Sequence, residues 1–133
     1  MPNPPVVTAL PPAPERPHPP QAPRENHLSP ATRSLVNQAH QQLARGDAEG
    51  ASLTLDRALR IEPNNPLVWA ALAKVRLAQN DAHQAEVCAR KALALASGDR
   101  AAEAEAGRAL IEALRAQGRN QEAHDVENRP YMQ

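Results

Sequence analysis

The segment Gly46 to Pro63 reads Gly-Asp-Ala-Glu-Gly-Ala-Ser-Leu-Thr-Leu-Asp-Arg-Ala-Leu-Arg-Ile-Glu-Pro, and it returns in altered form from Asn80 onward. There the chain reads Asn-Asp-Ala-His-Gln-Ala-Glu-Val-Cys-Ala-Arg-Lys-Ala-Leu-Ala-Leu. Asp47 falls on Asp81, Ala51 on Ala85, Ala58 on Ala92 and Leu59 on Leu93, an offset of 34 residues in each case. Self-similarity at a fixed period of this size marks a stack of supersecondary units, because one unit cannot bury its apolar face alone. The pattern within each copy is helical. The fold class it predicts is all-α, a short α-solenoid of helix pairs, and such a scaffold points to a binding module and not to an enzyme.

The remaining local signals fit helix pairs. Ser29 is placed to cap the first free amides of a helix, and Pro30 suits the first helical position, where its missing donor has no partner in any case. Helix A of the first repeat is expected to reach about Arg45, with Leu35, Ala39 and Leu43 on one stripe and Gln38, Gln41 and Gln42 largely outside it. Gly46 supplies a left-handed end and Asp47 caps helix B, whose packing face is Ala51, Leu55, Ala58 and Leu59, with Ile61 over the turn. Asn64-Asn65-Pro66 closes that helix and opens the next. In the second repeat the inner stripe is Trp69, Leu72, Ala73 and Leu77, followed by Ala85, Ala89, Ala92 and Leu93. Asn80 replaces the turn glycine, and Asp81 has Gln84 three residues on as its capping partner. From Ala85 to Ala123 the step lengthens to 38 residues. The extra turn is assigned to Ser97-Gly98-Asp99-Arg100, ahead of a helix from about Arg100 to Gln117 with Ala106, Ala109, Leu110, Ala113 and Leu114 on its stripe. A short helix from Asn120 to about Asn128 ends the third, degenerate copy, which offers only Ala123 and Val126 as apolar members.

These residues resemble the tetratricopeptide repeat family. Trp69 stands at the family's tryptophan position, Ala39 and Ala73 at the small position of helix A, and Ala51, Ala85 and Ala123 at the first alanine of helix B. Ala58 and Ala92 take the second alanine and Pro63 the closing proline. The chain departs from the pattern at Leu55 and Ala89 in place of the large aromatic, at Gln42 and Arg76 in place of tyrosine, and at Ser97 in place of the second proline. The resemblance implies two clear repeats and one degenerate one, at about residues 31–65, 66–99 and 100–128 of a domain spanning 30–128, with a tail over 129–133. The run Leu67 to Gln79, the Ser97–Arg100 insertion and the long third A helix also look like the small proteobacterial tetratricopeptide lipoproteins, some of which resemble activators of peptidoglycan synthases. Those are tethered to the outer membrane through a lipidated cysteine and a flexible spacer.

Eleven of the fourteen prolines fall within the first thirty residues, so residues 1–29 are expected to form a disordered Pro-rich arm. Extended, it would reach roughly 90 Å at about 3.1 Å per residue. Pro11-Pro12-Ala13-Pro14 and Pro17-His18-Pro19-Pro20 superficially fit proline-rich ligands, but a spacer is the simpler reading. Val6 to Leu10 is too short for the apolar core of a secretory signal. The chain as written therefore reads as soluble, or as periplasmic and outer-membrane-tethered if an upstream lipoprotein signal precedes it. Charge is balanced, 15 basic against 15 acidic residues, which disfavours nucleic acid, whose binding draws on Lys and Arg displacing counterions. No segment is apolar enough for direct membrane insertion. A core without Phe, at 2% aromatic, must be built from Leu, Val, Ile and Ala.

No catalytic, cofactor-binding or metal site is expected. The five histidines form no i, i+4 pair, and Cys88 is a small packing residue in an Ala-rich helix. Nothing resembles a nucleophile with its base or a phosphate loop. Projecting the repeats places Arg33, Asn37, His40, Lys74, Arg108 and Glu112 near the concave surface that stacked A helices present, against the simpler reading that they are a solvated helix face. Val36 and Ala71 stand where the family's carboxylate clamp for chaperone C-termini would need polar side chains. The function expected is an adaptor that binds a protein or peptide through this surface. The alternative is a homodimer formed through the degenerate third repeat.

Overall fold

A computed structural model describes residues 27–133; the expectation of a disordered arm over 1–29 falls, apart from its last three residues, outside the described residues. The described part is all-helical: α1 Pro30–Ala44, α2 Ala48–Ile61, α3 Pro66–Ala78, α4 Ala82–Leu95, α5 Arg100–Ala116 and α6 Asn120–Glu127, followed by a 3-10 turn at Pro130–Met132. The starts follow from capping. Ser29 accepts the Thr32 N–H, and Asp47, Asp81 and Asp99 accept the N–H groups of Gly50, Gln84 and Ala102. The ends follow from left-handed residues. Gly46 has φ of 82° and Asn80 the equivalent 60°. At each, the following Asp donates its N–H back to a carbonyl five residues earlier, Asp47 to Gln42 at 2.8 Å and Asp81 to Arg76 at 2.9 Å, which satisfies carbonyls the helix leaves open.

Sequential helices pack as neighbours, and the A helices also stack side by side, α1 on α3 and α3 on α5. The core between them is close-set. Fifteen of its twenty-five buried apolar residues are alanine, so the larger anchors are few: Leu55, Leu110, Leu114, Val68 and Val75 are fully enclosed. Each alanine removes little apolar area from water, so stability is spread over many small contacts.

The structure revises several local expectations. On α1 the buried stripe is Thr32, Val36 and Ala39, while Leu35 and Leu43 are half-buried, because the helix is turned to face both α2 and α3. Trp69, expected on the inner stripe, is half-buried; it packs between two core clusters, and its indole N–H donates to the Pro63 carbonyl at 2.8 Å. Ile61 is exposed instead of covering the turn. The four extra residues of the third unit do not sit in the Ser97–Arg100 turn, since α4 ends and α5 begins at the same spacing as α2 and α3. They lengthen α5 to 17 residues, against 13 in α3.

The degenerate end is held by ionic contacts and by the C-terminal residues. Glu86 of α4 is buried and accepts from Arg119 at 2.6 Å, Arg90 at 2.8 Å and Gln117 at 3.0 Å, joining α4 to the α5–α6 turn. Burial acts to raise its pKa, but Gln117, Arg90 and Arg119 together hold it down to about 2. Beyond α6 the chain folds back, and Pro130–Met132 packs on α5. That contact closes on the middle of α5. It uses Gly107, where an added Cβ would lie 2.5 Å from the Met132 sulfur and 2.9 Å from Tyr131.

Candidate functional site

The three A helices turn one face each toward a shared cleft of about 510 Å3. Val36, Asn37 and His40 come from α1, Leu67, Ala71 and Lys74 from α3, and Ala101, Ala102, Glu105 and Arg108 from α5. Steps of three and four residues keep each set on one helical face. His27 and Leu28, just before α1, and Asp99, the cap of α5, complete the lining. The first of these is anchored by the helix start: the His27 carbonyl accepts from Asn65 at 3.1 Å, and the Ser29 N–H donates to Glu62 at 2.9 Å. Hydrogen bonds from Ser29 hold the Glu62 carboxyl below its ordinary pKa, so this tie persists at neutral pH.

The lining divides into an apolar floor and a charged rim. Val36 and Ala71 are buried, and Leu28 and Leu67 are half-buried. Across the rim, Glu105 accepts from Lys74 at 2.7 Å with one carboxylate oxygen and from Arg108 at 2.7 Å with the other. Partial burial favours the protonated acid, but the Lys74 and Arg108 hydrogen bonds outweigh it and keep the Glu105 pKa lowered. His40 shifts in the opposite sense for its charge. Loss of hydration and then the Lys74 cation lower its pKa, with Glu105 opposing, which favours the neutral imidazole.

Four of the six residues projected onto the concave surface line this cleft, namely Asn37, His40, Lys74 and Arg108. Arg33 and Glu112 are exposed on α1 and α5 and lie outside its lining. Sequence reasoning missed Glu105, the residue joining the two cations, although it stands three residues before Arg108 on the same face. It also passed over Leu67 and His27. Cys88 is buried, and burial raises its pKa, which suits a packing role. Among the described residues no group of three or more His, Cys, Asp or Glu side chains could hold a metal ion, and no helix is long and apolar enough to cross a membrane.

Six packed helices define the class: an all-helical stack of helix pairs with a cleft lined by α1, α3 and α5. No family model matches the chain, and no curated protein matches it. Among solved structures it is similar to the globular C-terminal domain of P. aeruginosa LpoP, with 38% identity and a TM-score of 0.71 over 75% of this chain and 94% of that domain. The chain belongs to the family of that LpoP domain.

Proposed function

We propose that the chain is a non-enzymatic adaptor whose helix pairs act as tetratricopeptide repeats and receive a protein or peptide segment in the groove of α1, α3 and α5. The observation that carries this reading is the cleft itself, a preformed apolar floor with a polar rim, in a fold shared with the LpoP domain. The resemblance to lipoprotein activators of peptidoglycan synthases makes a cell-envelope synthase the proposed partner. On that reading residues 1–26 act as a spacer, His27 to Ser29 being tied to the folded part, and an upstream lipoprotein signal would place the domain in the periplasm, tethered to the outer membrane.

A purified bifunctional peptidoglycan synthase from the same cell tests the proposal. Adding the chain should raise the rate of glycan synthesis, and Lys74→Glu with Arg108→Glu should abolish that rise while the helical circular dichroism is retained; losing the two partly exposed ion pairs costs about 0.2 to 1 kcal/mol each, and the new carboxylates add repulsion against Glu105. No effect of the wild-type chain, or undiminished stimulation by the double variant, would count against it. The homodimer reading has a separate check. Part of α5 that a second copy could cover is already occupied by Tyr131 and Met132. Light scattering over a range of concentrations should accordingly report a monomer.

A further inference from the structure

The segment Arg129 to Gln133 packs on α5 without a hydrogen bond or ion pair to that helix among the described residues. Its polar contacts run within the segment or back to α6. The Met132 N–H donates to the Arg129 carbonyl at 2.9 Å, the Arg129 guanidinium to the Tyr131 hydroxyl at 3.3 Å, and the Gln133 side chain to the Glu127 carbonyl at 3.3 Å. What seats the segment is Gly107, a buried residue in a helix otherwise rich in alanine. Glycine at that place weakens the helix relative to alanine, and the space it leaves is filled from the tail. The nearest atom to the absent Cβ is the Met132 sulfur at 2.5 Å, with the Tyr131 ring at 2.9 Å and the Met132 Cγ at 3.5 Å. Met132 also packs against the main core cluster, yet it is only half-buried, so a small solute can reach the thioether.

We infer that Met132 is a modification site, and that oxidation of its thioether to the sulfoxide by a hydroperoxide releases residues 129–133 from the Gly107 seat. A lone pair of the sulfur attacks one peroxide oxygen; the S–O bond forms as the O–O bond breaks, and with hydrogen peroxide the second oxygen leaves as water. Sulfur gives up two electrons and the peroxide takes them. The product is a polar, pyramidal group whose oxygen accepts hydrogen bonds from water, so a seat that suits a sulfide no longer favours the side chain over solvent. No hydrogen bond to α5 opposes its departure. Gly107 directly precedes Arg108, so the seat and the cleft share one helix, and release bares the buried Gly107 surface of that helix whatever the groove binds.

Treatment of the full chain with hydrogen peroxide, followed by nuclear magnetic resonance, tests this. In the reduced chain the Tyr131 ring should show through-space contacts to Gly107. Once mass spectrometry finds oxygen on Met132, those contacts should be lost and the backbone order parameters of residues 130–133 should fall below about 0.6, with helical circular dichroism retained. A methionine sulfoxide reductase should restore both. Met132→Gln, polar but unoxidised, should show the released state without peroxide. Met132→Leu should keep the segment seated and be unchanged there by peroxide, which separates Met132 from the other oxidisable side chains, Met1 and Cys88. Sulfoxide at Met132 with the Tyr131 contacts and rigidity intact would overturn the inference, as would equal release of the Met132→Leu chain under peroxide. Absence of the Tyr131–Gly107 contacts in the reduced chain would overturn the seat itself.

Discussion

Glu86 shows how a single buried charge is retained in a thin core. Three partners from two segments satisfy its carboxylate, and removing the charge would leave Arg119 and Arg90 without their shared acceptor. Glu86→Gln should cost about 2 kcal/mol in urea unfolding at neutral pH. Because its folded pKa is depressed to about 2 from an ordinary value of 4.5, the contribution is complete above about pH 4.5 and is lost as pH falls toward 2. The Gln variant should therefore lose less stability across that interval than the wild type does. Asn80 constrains the backbone at the α3–α4 turn. It is the one non-glycine residue at positive φ among the described residues, and Asn80→Gly should stabilise the chain by about 0.5 to 1 kcal/mol, while Asn80→Ala should destabilise it by a similar amount. Thermal unfolding of the pair reads both signs. The turn at Asn80 was legible in the sequence because its signal is local. Glu86 was not, since nothing near it in the chain announces Gln117 or Arg119.

At the level of the elements, α5 departs most from its counterparts. It is longer than α3, it is capped by a buried aspartate, and it keeps a glycine in its interior. Asp99→Ala should cost about 1 to 2 kcal/mol, more than the same change at the exposed caps Asp47 and Asp81, because the Ala102 N–H it satisfies is buried. Equilibrium unfolding of the three variants gives the ranking directly. Gly107 would ordinarily weaken a helix by about 1 kcal/mol relative to alanine. Its place is taken by the folded-back C-terminus, so Gly107→Ala should displace Met132 and gain little. Combined with Tyr131→Ala and Met132→Ala, which remove both side chains that meet this Cβ, it should recover most of that roughly 1 kcal/mol relative to the Tyr131→Ala, Met132→Ala pair alone. A double-mutant cycle measures the coupling. The helix boundaries themselves were readable to within about a residue, because caps and left-handed ends act through adjacent backbone groups. The extent of α5 was read to within a residue, but the four added residues were assigned to the Ser97–Arg100 turn, since periodicity records that residues were added and not which element holds them.

For the whole molecule, a stack in which each helix leans mainly on its neighbours should lose structure from its ends. Amide hydrogen exchange should be slowest in α3, α4 and α5, which are packed on both sides, and faster in α6, which rests mainly on α5. Uniform protection through α6 would show that the Glu86 network couples the end to the centre more tightly than the apolar contacts suggest. The sequence by itself determined the helix pairs, their turns and most of the alanines between them, because these follow from short-range sterics, hydrogen bonding and a repeating apolar pattern. It also placed Lys74 and Arg108 on the inner faces of successive A helices. Only the tertiary structure decided that Glu105 would lie between them, that loss of hydration and Lys74 would lower the His40 pKa, and that Tyr131 and Met132 would return to Gly107. Those meetings depend on how closely and at what angle α1, α3 and α5 pack, which is set by side-chain volume across the interfaces and not by any residue's own neighbours in the chain.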